Sequence, residues 1–79
     1  MASLREKFGQ RLRAIRLARK LSQEQFAELL GISVDFLSLI ERGINAPSFE
    51  NLDAFSVQLN LPVSALFEFQ STNESSSSI

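Results

Sequence analysis

Residues 22–43 read SQEQFAELLGISVDFLSLIERG, and the rest of the chain follows from how this stretch folds. Ser22 is positioned to cap a helix, and Gln25 three residues later completes a capping box, so two backbone N–H groups orphaned at a helix start find acceptors. Phe26, Ala27 and Leu30 recur at helical spacing and define a buried face. Gly31 follows, the residue that most readily takes the left-handed conformation in which helices end. Ser33 caps a second helix, with Phe36, Leu37 and Ile40 on its inward side. Only Ile32 and Ser33 separate the turn glycine from that helix, so the two helices must cross steeply, as in a helix-turn-helix. Ala27 sits at the crossing, where a larger side chain would hold them apart.

Upstream, a first helix is predicted from Leu4 to about Arg19. Ser3 and Glu6 form a second capping box, and Leu4, Phe8, Leu12 and Ile15 make its inward stripe. Gly9 weakens this helix by roughly 1 kcal/mol relative to alanine. Arg16 borders the stripe, and an arginine so near a core needs a carboxylate partner. Downstream, Ile44 to Pro47 is a loop, and Ser48 caps a fourth helix whose buried face is Phe49, Leu52, Phe55 and Leu59. Asn60 and Pro62 interrupt it, and Val63 to Phe69 is predicted as a short fifth helix carrying Leu66, Phe67 and Phe69. Two phenylalanines within three residues cannot share one helical stripe. Either one of them seeks an external partner or both tuck under the edge of the bundle. Residues 70–79, serine-rich, polar and aperiodic, are expected to be a disordered tail. The fold class expected is therefore all-α, a compact five-helix bundle spanning residues 1–69.

The 79 residues allow one small domain, near the lower limit for independent folding, where self-association would add burial. No apolar run approaches bilayer length, and the first twenty residues are basic and periodic, unlike a signal peptide. The absence of cysteine excludes a disulfide framework and fits a cytoplasmic location. Histidine, tyrosine and tryptophan are absent as well, so zinc sites are excluded in practice and no histidine exists to activate a serine. Three isolated glycines make no phosphate-cradling loop, and the acids lack calcium-loop spacing. No metal, cofactor or enzymatic activity is expected. Net charge is −1, but residues 1–20 carry +6 and residues 21–79 carry −7. Such asymmetry either concentrates a positive patch on one surface or marks a solvated helix face.

The segments SQEQFAELLGIS, LSLIERG and APSFENL, flanked by Leu12–Arg16 and by LNLPVSALF, resemble the XRE family, the Cro and phage-repressor type of helix-turn-helix DNA-binding domain. The resemblance spans about residues 5–69 and rests on Gln23, Ala27, Gly31, Leu37, Ile40, Glu41 and Gly43 in register. It implies a lambda-repressor-like domain in which Arg16 pairs with Glu41, a structural role. It also implies that Val34, Asp35, Ser38 and Leu39 occupy base-reading positions in the major groove of double-stranded DNA. Phosphate contacts are expected from Ser22, Gln23, Ser33, Arg42 and Asn45, with Gln23 using its side chain and its free backbone N–H, and with Arg42 and the backbone around Asn45 gripping another phosphate. The chain departs from the family where Val34 replaces a common arginine or glutamine and where Asp35 is acidic. It departs again where Ile44, Asn45 and Ala46 follow Gly43 in place of a lysine or arginine.

The function expected is a sequence-specific transcriptional regulator, a dimeric repressor or autoregulator, an architecture shared by restriction-modification controller proteins. Its dimer interface is expected at Leu66, Phe67 and Phe69. The alternative is a protein-interaction module, an antitoxin component or regulator-binding subunit that uses the Phe67 region and binds DNA weakly or not at all.

Overall fold

The computed structural model describes residues 2–69, so the tail expected over 70–79 lies outside the described residues. Four α-helices follow one another: α1 (Leu4–Ala18), α2 (Gln23–Leu30), α3 (Val34–Glu41) and α4 (Phe49–Leu59), then a 3-10 helix at Val63–Phe67. No strand occurs among the described residues.

Each α-helix begins on a serine. The hydroxyls of Ser3, Ser22, Ser33 and Ser48 accept from the N–H groups of Glu6, Gln25, Phe36 and Asn51. Glu6, Gln25 and Asn51 return the bond to the cap backbone, which completes three capping boxes. The four helices also end alike. Lys20, Gly31, Gly43 and Asn60 take positive φ, and the next residue (Leu21, Ile32, Ile44 or Leu61) donates its N–H to a carbonyl five residues back. This is the Schellman closure, with an apolar residue just beyond the left-handed one. Lys20 adopts that conformation without being glycine or asparagine, and no sequence signal announces it.

The helices enclose one core whose most buried side chains include Leu12, Phe26, Leu37, Ile40, Phe55, Leu59 and Leu66. α1 packs on α3 and on the 3-10 helix, while α2 packs on α3 and α4. Gly9 explains how α1 and α3 approach so closely. A Cβ there would run into the carbonyl oxygen of Ile40 and come within 2.9 Å of that of Glu41. The glycine that weakens α1 in isolation is thus the residue that lets α3 dock on it.

Three expectations are corrected. The fifth helix is a single 3-10 segment, opened by the Ala65 N–H donating to the Pro62 carbonyl. Only five residues fit between Pro62 and Glu68, too few to propagate an α-helical ladder. Leu4 and Phe49, assigned inward, are 61% and 85% exposed. Each stands first in its helix, and the inward stripes begin at the buried Phe8 and the half-buried Leu52. Leu66 is wholly buried and belongs to the core.

Candidate nucleic-acid interface

The α2–turn–α3 unit is anchored by one carboxylate. Glu41, at the last turn of α3, accepts from Arg16 Nε at 2.8 Å and from Arg16 Nη2 at 3.0 Å, a bidentate pair. The third guanidinium nitrogen donates to the Leu21 carbonyl at 3.1 Å. Gln23 Nε2 donates to Glu41 Oε1 at 3.0 Å. A single acidic group therefore joins the end of α1, the first residue of α2 and the end of α3. The Arg16 and Glu41 side chains are only 10% and 2% exposed. The pair is sealed because α1, α2 and α3 converge on it and exclude water. The bond from Gln23 was not foreseen, because Gln23 and Glu41 lie 18 positions apart and glutamine carries no signal of a carboxylate partner.

Around that anchor, the outward side of α3 carries Val34 and Asp35 exposed and Ser38 and Leu39 half-buried, with Arg42 exposed one turn further on. Their spacing of one, three, one and three sets them along one helix face. Ser22 and Ser33 use their oxygens as cap acceptors and retain their hydroxyl protons for donation. Gln23 spends one amide hydrogen on Glu41, leaving its second amide hydrogen and its carbonyl oxygen. As a first-turn residue it has no helical acceptor for its N–H. Asn45 departs from expectation, because its N–H and that of Ile44 both donate to the Leu39 carbonyl. These two N–H groups close α3, which leaves the Asn45 side chain to reach outward from that residue.

The basic N-terminal run is also largely committed to the fold. Arg5 donates to the Ile44 carbonyl, Arg11 to that of Ala65 at 2.8 Å, and Arg19 to that of Leu59 at 2.7 Å. Arg11 also lies 3.8 Å from Glu68. With Arg16, four of the seven cations pin α1 to later elements. Lys7, Arg13 and Lys20 have no ion-pair partner among the described residues. Arg5 and Arg19 stay exposed while making these bonds, and Lys7, Arg13 and Lys20 are exposed too, so the basic run both fastens α1 and keeps positive charge on the surface. Among the described residues, no cluster of acids suited to a metal ion occurs, and no helix is long and apolar enough to cross a membrane.

Phe67, assigned to a dimer interface, rests half-buried on Phe8, with ring centroids 5.1 Å apart. Phe69 meets Phe67 edge-on at 6.0 Å. Leu66 is closed to any partner by its burial in the core.

Comparison with known proteins matches residues 12–66 to a family described as helix-turn-helix. The immunity repressor protein of Bacillus phage phi105 is 45% identical over 58 residues, covering 73% of this chain and 40% of that protein. The HTH-type transcriptional regulator YazB of Bacillus subtilis is 41% identical over 61 residues, covering 77% of this chain and 88% of that one. Among solved structures, the restriction-modification controller protein C.AhdI from Aeromonas hydrophila superposes with a TM-score of 0.74 at 38% identity. That match covers 80% of this chain and 96% of the controller. The chain spans well under half of the phage repressor's length.

Proposed function

This chain belongs to the helix-turn-helix family, and from that premise we propose that it is a transcriptional regulator that binds double-stranded DNA by sequence, with α3 in the major groove. The observation that carries the reading is the Arg16–Glu41–Gln23 network, which sets the start of α2 rigidly against α3. Under this reading Gln23 holds one phosphate through its backbone N–H and remaining amide hydrogen. The Ser22 and Ser33 hydroxyls and the Arg42 and Asn45 side chains hold others. Val34 and Leu39 meet thymine methyl groups, Ser38 serves either donor or acceptor edges, and Asp35 accepts from a cytosine amino group. The protein acts in the cytoplasm as a homodimer, so that two copies of α3 address half-sites about 34 Å apart. Repression is the mode supported by the name of the phage relative.

Selection of bound duplexes from random DNA, followed by titration in salt, tests the reading. Specific duplexes should emerge, and log K should fall with log salt at about −0.9 for each phosphate neutralised. The slope should be shallow, because Arg42 is the one cation in the α2–α3 unit. Failure to retain any duplex at low salt would favour the protein-interaction alternative.

A further inference from the structure

Three of the four helix closures use glycine or asparagine, the residues for which a left-handed backbone costs least. The closure of α1 does not. Lys20 holds a φ of 60°, where the Cβ of an ordinary residue crowds the following carbonyl oxygen. Its neighbours leave it no freedom to relax. The Lys20 N–H donates to the Leu17 carbonyl at 3.0 Å, and the Leu21 N–H donates to the Arg16 carbonyl at 3.2 Å. The Leu21 carbonyl in turn accepts from the Arg16 guanidinium at 3.1 Å. Arg16 also holds Glu41, so the turn at Lys20 is fixed to the same network that fixes the first residue of α2. Lys20 precedes Ser22 by two positions and Gln23 by three. It is exposed, and no carboxylate pairs with it among the described residues. Arg19 beside it donates to the Leu59 carbonyl at 2.7 Å, and Arg16 is buried. Lys20 is the cation at this corner that the fold leaves uncommitted.

We propose that Lys20 contacts a backbone phosphate of bound duplex DNA, flanking the one held at the start of α2, and that its strained turn is retained because it presents the lysine there. The inference rests on the DNA-binding reading and adds to it a contact that the family resemblance does not supply. Stability alone does not account for a lysine at this place, since glycine would close α1 without strain. Residues in costly backbone conformations persist where the surrounding structure over-determines them, and they gather at binding sites. An ammonium on a flexible four-carbon stem suits a phosphate, which needs a positive charge and no fixed fork of donors. The rigid mount matters as much as the charge. Arg16 fastens the turn directly and, through Glu41, the first residue of α2, so Lys20 and Gln23 meet the DNA strand in fixed register.

The test combines thermal melting with fluorescence anisotropy titrations in salt for the full chain and its Lys20→Gly, Lys20→Gln and Lys20→Arg variants. The probes are random duplex DNA and duplexes selected by the wild type. Each neutralised phosphate contributes about 0.9 to the slope of log K against log salt. Lys20→Gly and Lys20→Gln should therefore both make the slope shallower by about 0.9, with the same loss of affinity on every sequence. Lys20→Arg should keep the wild-type slope. Lys20→Gly, relieved of strain, should also melt higher by roughly 4–8 °C, so that the more stable protein is the weaker binder. Unchanged slopes in the glycine and glutamine variants overturn the contact. If Lys20→Gln then also melts lower than wild type, the lysine belongs to the negative end of the α1 dipole. A Lys20→Gly protein that melts no higher than wild type overturns the claim that strain is retained for the contact. A wild type that retains no duplex at low salt overturns the DNA-binding reading and this proposal together, whereas a wild type that binds while its variants bind identically overturns the proposal alone.

Discussion

Separating the partners of the Arg16–Glu41 pair should reveal how much of the domain's stability runs through one contact. The pair is bidentate and nearly sealed from solvent, so either partner left alone retains a buried charge. Breaking such a pair typically costs about 3–5 kcal/mol. The two single variants should not be equal. In Arg16→Met the Glu41 carboxylate, only 2% exposed, keeps the Gln23 amide as its one remaining donor. In Glu41→Leu the more accessible guanidinium keeps the Leu21 carbonyl and can lean toward water. Arg16→Met is therefore expected near the top of that range and Glu41→Leu near the bottom. For a chain of this length the total stability is roughly 4–12 kcal/mol, so either variant consumes a large share of it. Melting should fall by at least about 12 °C. The double variant replaces the pair by apolar groups and should melt closer to wild type, losing mainly the Gln23 bond at about 1 kcal/mol. Chemical denaturation of the four proteins gives the coupling energy, expected above about 2 kcal/mol. Additive single effects, with coupling under about 0.5 kcal/mol, would refute the reasoning.

Gly9→Ala, which helix propensity alone would make stabilising, should instead destabilise by about 1–3 kcal/mol, since the new methyl group meets the Ile40 and Glu41 carbonyls; a stabilised variant in urea unfolding would mean that α1 and α3 do not cross at that point. Asp35→Asn removes a charge while keeping shape. It should raise affinity for random duplex DNA and relax preference at one base pair by roughly 1–3 kcal/mol. A lowered melting temperature with unchanged preference would assign Asp35 to the dipole of its own helix instead.

The elements of this chain were legible because their signals are local. A serine cap with its partner three residues on, an apolar face repeating every three or four residues, and a glycine or asparagine at the close all act within one or two turns. Hence α1, α2, α3 and α4 could be bounded to within a residue or so, and Glu41 was correctly paired with Arg16 on the strength of the family resemblance. What escaped the sequence depends on which surfaces meet. Gly9 reads as a weak spot in α1 until the carbonyls of α3 are brought against it. The basic run reads equally well as a free patch or a solvated face, whereas folding assigns Arg5, Arg11 and Arg19 to carbonyls between 39 and 54 positions away. Leu4 and Phe49 fit their stripes by periodicity, but whether a helix's first turn is covered depends on where the neighbouring element ends. The Gln23–Glu41 bond is of the same kind: it joins residues 18 positions apart, and no local interaction encodes the distance that the packed core imposes between them.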